Sequence, residues 1–116
     1  MGKWLAVLEV SELTDGTMKA VSAEGHDILI AQAGQEYYAA ENHCPHMNAL
    51  LSQGKLSGTI ITCYRHGSQF DLKDGHVVRW TNWSGVIVAL AKVFKPTNPL
   101  RIYPTKSDGH QILVEF

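Results

Sequence analysis

Only two cysteines occur in the chain, and each stands within three residues of a histidine: Cys44-Pro45-His46 and Cys63-Tyr64-Arg65-His66. Together they spell Cys-x-His-x16-Cys-x2-His. Two thiolates and two imidazoles complete a [2Fe–2S] cluster when sulfur holds one iron and nitrogen the other. The same four donors suit a tetrahedral zinc ion, and any cysteine near a histidine is a candidate nucleophile pair. Zinc-finger spacings usually group cysteines with cysteines, whereas each knot here mixes one sulfur with one nitrogen. A nucleophile pair would leave the second knot without a role. Iron–sulfur chemistry accounts for both knots at once. A metal held this way ties together two loops that backbone pairing does not join, so metal binding and loop order are coupled.

The loops need a scaffold, and the pattern around them is one of short strands broken by glycine turns. Residues 4–10 form an apolar strand, followed by a turn through Ser11-Glu12-Leu13 and Asp15-Gly16. Residues 19–22 and 26–31 pair across Glu24-Gly25, and 35–40 continues an antiparallel meander. Residues 59–62 are a strand leading straight into Cys63, and Gly67 permits a sharp return after His66. Segment 68–72 pairs with 76–80 across Asp74-Gly75, which favours a type I′ turn. The same logic joins 101–105 to 111–116 across Asp108-Gly109. Helical periodicity is absent from the first half, and β-branched and aromatic residues favour sheet. The expected fold is a small all-β antiparallel sandwich or barrel. Residues 84–94 (SGVIVALAKVF) read as a short helix or irregular excursion, with a buried strand as the alternative, and Pro96 and Pro99 end the segment.

The two knots in context resemble the Rieske family, and in particular its soluble ferredoxins. The usual run Cys-Pro-His-x-Gly-x-x-Leu is met here by Cys44-Pro45-His46-Met47-Asn48-Ala49-Leu50-Leu51. Asn48 replaces the glycine, and asparagine tolerates the left-handed backbone better than most side chains. The second run, Cys63 through Asp71, also matches, with Tyr64 where proline is common. The likeness extends over residues 3–79 and returns at Pro99-Leu100-Arg101-x-Tyr103 and the closing hairpin. It implies a two-loop cluster-binding subdomain, with loops at about 43–51 and 63–71, and an insertion at 80–98. It implies one [2Fe–2S] cluster per chain, with Cys44 and Cys63 on the inner iron and His46 and His66 on the outer.

As function, the resemblance implies a one-electron carrier, reduced by a flavin reductase and serving a ring-hydroxylating oxygenase, with no catalysis of its own. The alternative is a small Rieske subunit of a larger redox enzyme such as nitrite reductase. The respiratory branch of the family carries an extra cysteine in each loop, and this chain has none to spare. That branch also places a tyrosine hydroxyl near a cysteine sulfur, where Phe70 stands here. Ser68 remains able to donate to a bridging sulfide. Fewer hydrogen bonds to sulfur predict a midpoint toward the low end of a range of roughly −150 to +300 mV.

The bulk numbers fit that reading. A chain of 116 residues suits one domain, 1–116. Hydrophobic content of 45% with 18% charge argues against disorder. A net charge of −1 with no basic run gives no case for nucleic acid. No signal-peptide arrangement opens the chain, and the apolar stretch 85–91 falls far short of the about 20 residues a membrane helix needs. Cytoplasmic residence, where thiols stay reduced, is the expectation. His43 reads as a loop residue rather than a ligand, and His26, His76 and His110 as solvated. Trp80 and Trp83 read as core or rim packing. Lys55 and Arg65 read as solvated charges, with steering of an acidic partner as the alternative.

Overall fold

A computed structural model describes residues 3–45, 49–64, 67–79 and 99–116. These contain the strands β1 (Trp4–Glu9), β2 (Met18–Ala23), β3 (His26–Ala33), β4 (Glu36–Glu41), β5 (Lys55–Ser57), β6 (Ile60–Thr62), β7 (Gln69–Asp71), β8 (Val77–Arg79), β9 (Ile102–Tyr103), β10 (Thr105–Ser107) and β11 (Gln111–Glu115). Two short 3-10 turns, Val10–Glu12 and Leu51–Gln53, complete the set. Three antiparallel sheets result, in the orders β1-β11-β10, β2-β3-β4-β9 and β5-β6-β7-β8. The all-β antiparallel expectation holds.

The layering follows from β3. Its residues Ile28, Leu29, Ile30 and Ala31 are apolar in succession rather than in alternation, the mark of a strand covered on both faces. All four are fully buried. Ile28 and Ile30 pack with Leu8, Ala39, Tyr103, Ile112 and Val114. Leu29 and Ala31 pack on the other side with Ala40, Leu51, Ile61, Phe70, Leu72, Leu100 and both cysteines. The middle sheet therefore separates two cores, one shared with the β1-β11-β10 sheet and one with the β5–β8 sheet. Truncating any of these large side chains to alanine would cost about 2–5 kcal/mol.

The β2–β3 hairpin forms as the turn chemistry requires. Ala23 faces His26, and Glu24 (φ 52°) and Gly25 (φ 76°) both take the positive φ of a type I′ loop. Two other hairpins differ from expectation. Between β7 and β8 the connection is the five residues 72–76, and only Gly75 (φ 82°) is left-handed, so Asp74-Gly75 is not a two-residue I′ turn. Gly75 is instead pinned against the following chain. Its carbonyl accepts the Leu100 N–H at 2.8 Å, and a Cβ there would stand 2.1 Å from the Leu100 oxygen.

Segment 101–105 is likewise not one strand. β9 pairs with β4, β10 pairs with β11, and Pro104, which has no N–H to give, marks the change of sheet. β5 is a strand the sequence reading did not anticipate. His26 is not simply solvated, because its ring stacks on Phe116 at 5.4 Å and 9°, whereas His76 and His110 are exposed. The excursion expected at 84–94, and the packing expected of Trp80 and Trp83, lie outside the described residues. No helix among the described residues is long and apolar enough to cross a membrane.

Candidate metal centre

The first cysteine loop leaves β4 at Glu41. The Cys44 N–H donates to the Ala49 carbonyl at 2.8 Å, His43 bridges Leu50, and the Leu51 N–H donates to Asn42 O at 2.7 Å. The second loop joins β6 to β7. Here the Cys63 N–H donates to the Ser68 carbonyl at 2.8 Å, and the Gly67 N–H returns to Cys63 O at 3.2 Å with φ 72° at Gly67. Each cysteine thus occupies the same station: the first residue of a loop whose closing carbonyl lies five positions on. The two sequences share no spacing that announces this equivalence.

Both thiols are 2% exposed and belong to one side-chain core with Leu51, Ile61 and Phe70. They form no disulfide. A metal binds cysteine through its thiolate sulfur. Two such thiols facing one core from equivalent loops therefore fit the sulfur-bound half of a [2Fe–2S] centre. His46 and His66, with Met47, Asn48 and Arg65, lie outside the described residues. Among the described residues no group of three or more His, Cys, Asp or Glu side chains could hold a metal ion.

Residues 3–98 match the Rieske [2Fe-2S] domain family. The chain belongs to the Rieske family. One [2Fe–2S] cluster per chain follows from that membership. Among the relatives of this Rieske chain is the ferredoxin component of the naphthalene 1,2-dioxygenase system of Pseudomonas aeruginosa. It is 27% identical over 114 residues, covering 98% of this chain and 96% of the relative. Among solved structures, the Sphingomonas yanoikuyae B1 ferredoxin superposes with a TM-score of 0.79 at 25% identity, covering 98% and 99% of the two chains. A chain in the complex of reduced oxygenase and oxidised ferredoxin of carbazole 1,9a-dioxygenase gives 0.75 at 28% identity, covering 97% and 92%.

Around the Rieske loops the structure places residues that the sequence had marked, and adds Asn42, Ser52 and Gly54, which it had not. Phe70 is fully buried in the core that holds both cysteines, and Ser68 is fully buried beside Cys63. Tyr64, next to Cys63, is 55% exposed and with Lys55, Thr62 and Gly67 lines an open pocket that reaches Cys63. His43 stays a loop residue, tied by Nε2 to the Asp27 carboxylate at 3.2 Å. Asn42 and Ser52, ten residues apart, and Gly54 buttress the first loop. Nothing in their spacing signals it.

Proposed function

We propose that this Rieske protein is a one-electron carrier that accepts an electron from a reductase and delivers it to a terminal oxygenase acting on aromatic rings. The observation that carries this reading is the end-to-end match. The chain and a ferredoxin component of a dioxygenase system cover each other almost completely, at 98% and 96%. Cys44 and Cys63 hold the inner iron and His46 and His66 the outer. Residues 1–116 act as one domain, with cluster loops at about 43–51 and 63–71 and an insertion at 80–98. Its place is the cytoplasm, where reducing conditions keep both thiols available.

When bound, the cluster supplies reversible uptake of a single electron. The chain's own residues supply the rest. Leu51, Ile61 and Phe70 keep water from the two thiols. Tyr64 and Lys55 stand exposed beside Cys63, so a partner's surface can approach one side of the centre without unfolding anything. The exposed Lys55 at that edge suits a partner that places an acidic group opposite it.

Anaerobically purified protein should contain iron and acid-labile sulfide in equal amounts. After dithionite reduction it should give the electron paramagnetic resonance spectrum of a mixed-ligand [2Fe–2S] centre. It should then pass electrons from a flavin reductase to a ring-hydroxylating oxygenase. Zinc as the sole metal would refute the cluster. A loaded protein that no reductase reduces, and that purifies only with a large subunit, would refute the carrier.

A further inference from the structure

Burying a polar side chain is costly unless its hydrogen bonds are remade inside. Among the described residues two polar side chains are buried, Asn42 and Ser68, one at the root of each cysteine loop. Ser68 belongs to the centre already described. Asn42 is no candidate ligand, yet each of its polar groups is engaged. Its N–H donates to Asp27 O at 2.9 Å and its carbonyl accepts from the Leu51 N–H at 2.7 Å. Its side-chain Oδ1 accepts from the Ser52 N–H at 2.8 Å, and Nδ2 donates to Ser52 Oγ at 3.0 Å.

This clasp sits where the first loop lacks a strand ladder, and its effect does not stop at Ser52. Two residues on, a Cβ at Gly54 would lie 2.0 Å from the Thr62 carbonyl oxygen. The Leu51–Gln53 turn therefore lies against the end of β6, one residue before Cys63. The contacts run Asn42, Ser52, Gly54, Thr62. They connect the root of Cys44 to the root of Cys63 without passing through any metal.

We propose that Asn42 is a positioning residue for the cluster: by clasping Ser52 it fixes Cys44 relative to Cys63 and so governs how firmly the chain retains its [2Fe–2S] centre. The inference rests on the reading of both cysteines as ligands of one cluster. Residues that orient ligands from outside the coordination sphere commonly change metal retention by about 10- to 100-fold. Asparagine is suited because its amide carries a donor group and an acceptor group side by side. Aspartate keeps the clasp, since its second oxygen can accept from a rotated Ser52 hydroxyl or, when protonated, donate as the amide does.

The test uses anaerobically purified holoprotein, with iron and sulfide measured first in the wild type. Two readouts follow: the rate at which excess chelator bleaches the visible absorbance, and the line positions of the reduced paramagnetic spectrum. Asn42→Ala is expected to bleach at least about tenfold faster with shifted or broadened lines. Ser52→Ala should fall between, because its backbone N–H still reaches Oδ1. Asn42→Asp, which keeps the Oδ1 acceptor for the Ser52 N–H, should bleach more slowly than Asn42→Ala and keep its lines closer to wild type. An Asn42→Ala protein with unchanged lines and bleaching rate, even if it melts earlier, overturns the proposal by reducing Asn42 to general stability. Should Asn42→Ala not fold, unchanged bleaching in Ser52→Ala overturns it equally. A loaded wild type with unmoved variants rejects this inference alone, whereas a wild type without iron and sulfide rejects the cluster reading beneath it.

Discussion

In the second cysteine loop the strands arrive paired and leave paired. Thr62 faces Gln69 and Ile61 faces Phe70 on either side of it, so the ladder itself delivers Cys63. In the first loop the β3–β4 ladder ends with Glu41 opposite Ile28, and beyond it, among the described residues, a single bridge, His43 to Leu50, holds the stems. Side chains take over there, with Asn42 gripping Ser52 and Gly54 flat against Thr62. The two sulfurs reach equivalent stations by different means, one through backbone pairing and the other through particular side chains. Single substitutions should therefore damage the first loop more readily than the second.

The largest effect is expected on removing a ligand. Replacing His46 or His66 with alanine should abolish the visible spectrum, since one iron then lacks a donor. The cluster-free protein should also separate the loops. Amide exchange should rise sharply at Cys44 and Leu51 and much less at Cys63 and Leu72, whose N–H groups sit at the ends of a ladder. Equal exchange in both loops would erase the distinction drawn here. A variant that kept its full spectrum would show the ligand assignment to be mistaken.

Phe70 comes next, because it packs in the core common to both loops. Phe70→Ala should cost about 3–5 kcal/mol, read as a lower urea midpoint, and should loosen both loops together. Phe70→Tyr asks a finer question. A hydroxyl placed near the cluster sulfurs stabilises the added electron, so the midpoint should rise. A voltammogram showing it unchanged or lowered would separate this position from the tyrosine position of the respiratory branch.

How much of this was readable beforehand depended on where the information resides. The cysteines and histidines declare their chemistry by type and spacing, and Glu24-Gly25 declares a hairpin through Gly25, which takes positive φ without steric cost, while Glu24 follows it into the same region. Asp74-Gly75 misled because the same dipeptide serves a longer loop once Gly75 is pressed against the Leu100 carbonyl, a contact made across the fold. Pro104 was visible as a residue without an N–H, yet a strand that switches sheets needs knowledge of both partners. β5 carries one apolar residue, Leu56, between Gly54 and Gly58, too little for any periodicity. The Asn42–Ser52 clasp is a three-dimensional coincidence of two unremarkable polar residues. Local chemistry was legible; long-range contacts were not.

Gly54→Ala probes the bridge between the loops directly. Its Cβ would fall 2.0 Å from a backbone oxygen, so the Leu51–Gln53 turn or the end of β6 must move. Overpacking of this kind costs about 1–3 kcal/mol. The expected signature is a lower temperature of cluster loss with the outer β1-β11-β10 sheet unaffected. A uniform loss across all sheets would mean that the turn is no local brace.

The smallest effect contrasts two Asp-Gly-His turns, one on the cluster sheet and one remote from it. Asp74 Oδ1 accepts the His76 N–H at 3.0 Å and lies 2.5 Å from His76 Nδ1. Asp108 Oδ1 accepts the His110 N–H at 2.9 Å and the Gln111 N–H at 2.7 Å. Both carboxyls are held below the ordinary aspartate range. For Asp74 the main cause is the backbone N–H of His76, followed by its side chain. For Asp108 it is the backbone N–H of Gln111, then that of His110. A depressed pKa means the fold favours the ionised form. The associated stability is complete above the unfolded value of about 3.9 and drains away as pH falls through the lower folded value. Both turns are exposed, so solvent screening keeps the contribution small. Wild type should therefore hold a slight advantage over Asp74→Asn and over Asp108→Asn at neutral pH, closing below about pH 4. Urea-driven bleaching of the cluster should register the Asp74 change alone, because that turn connects β7 to β8, while global unfolding should register both. An advantage that stays constant with pH would mean that these carboxylates act through turn geometry, which asparagine also supplies, and not through charge.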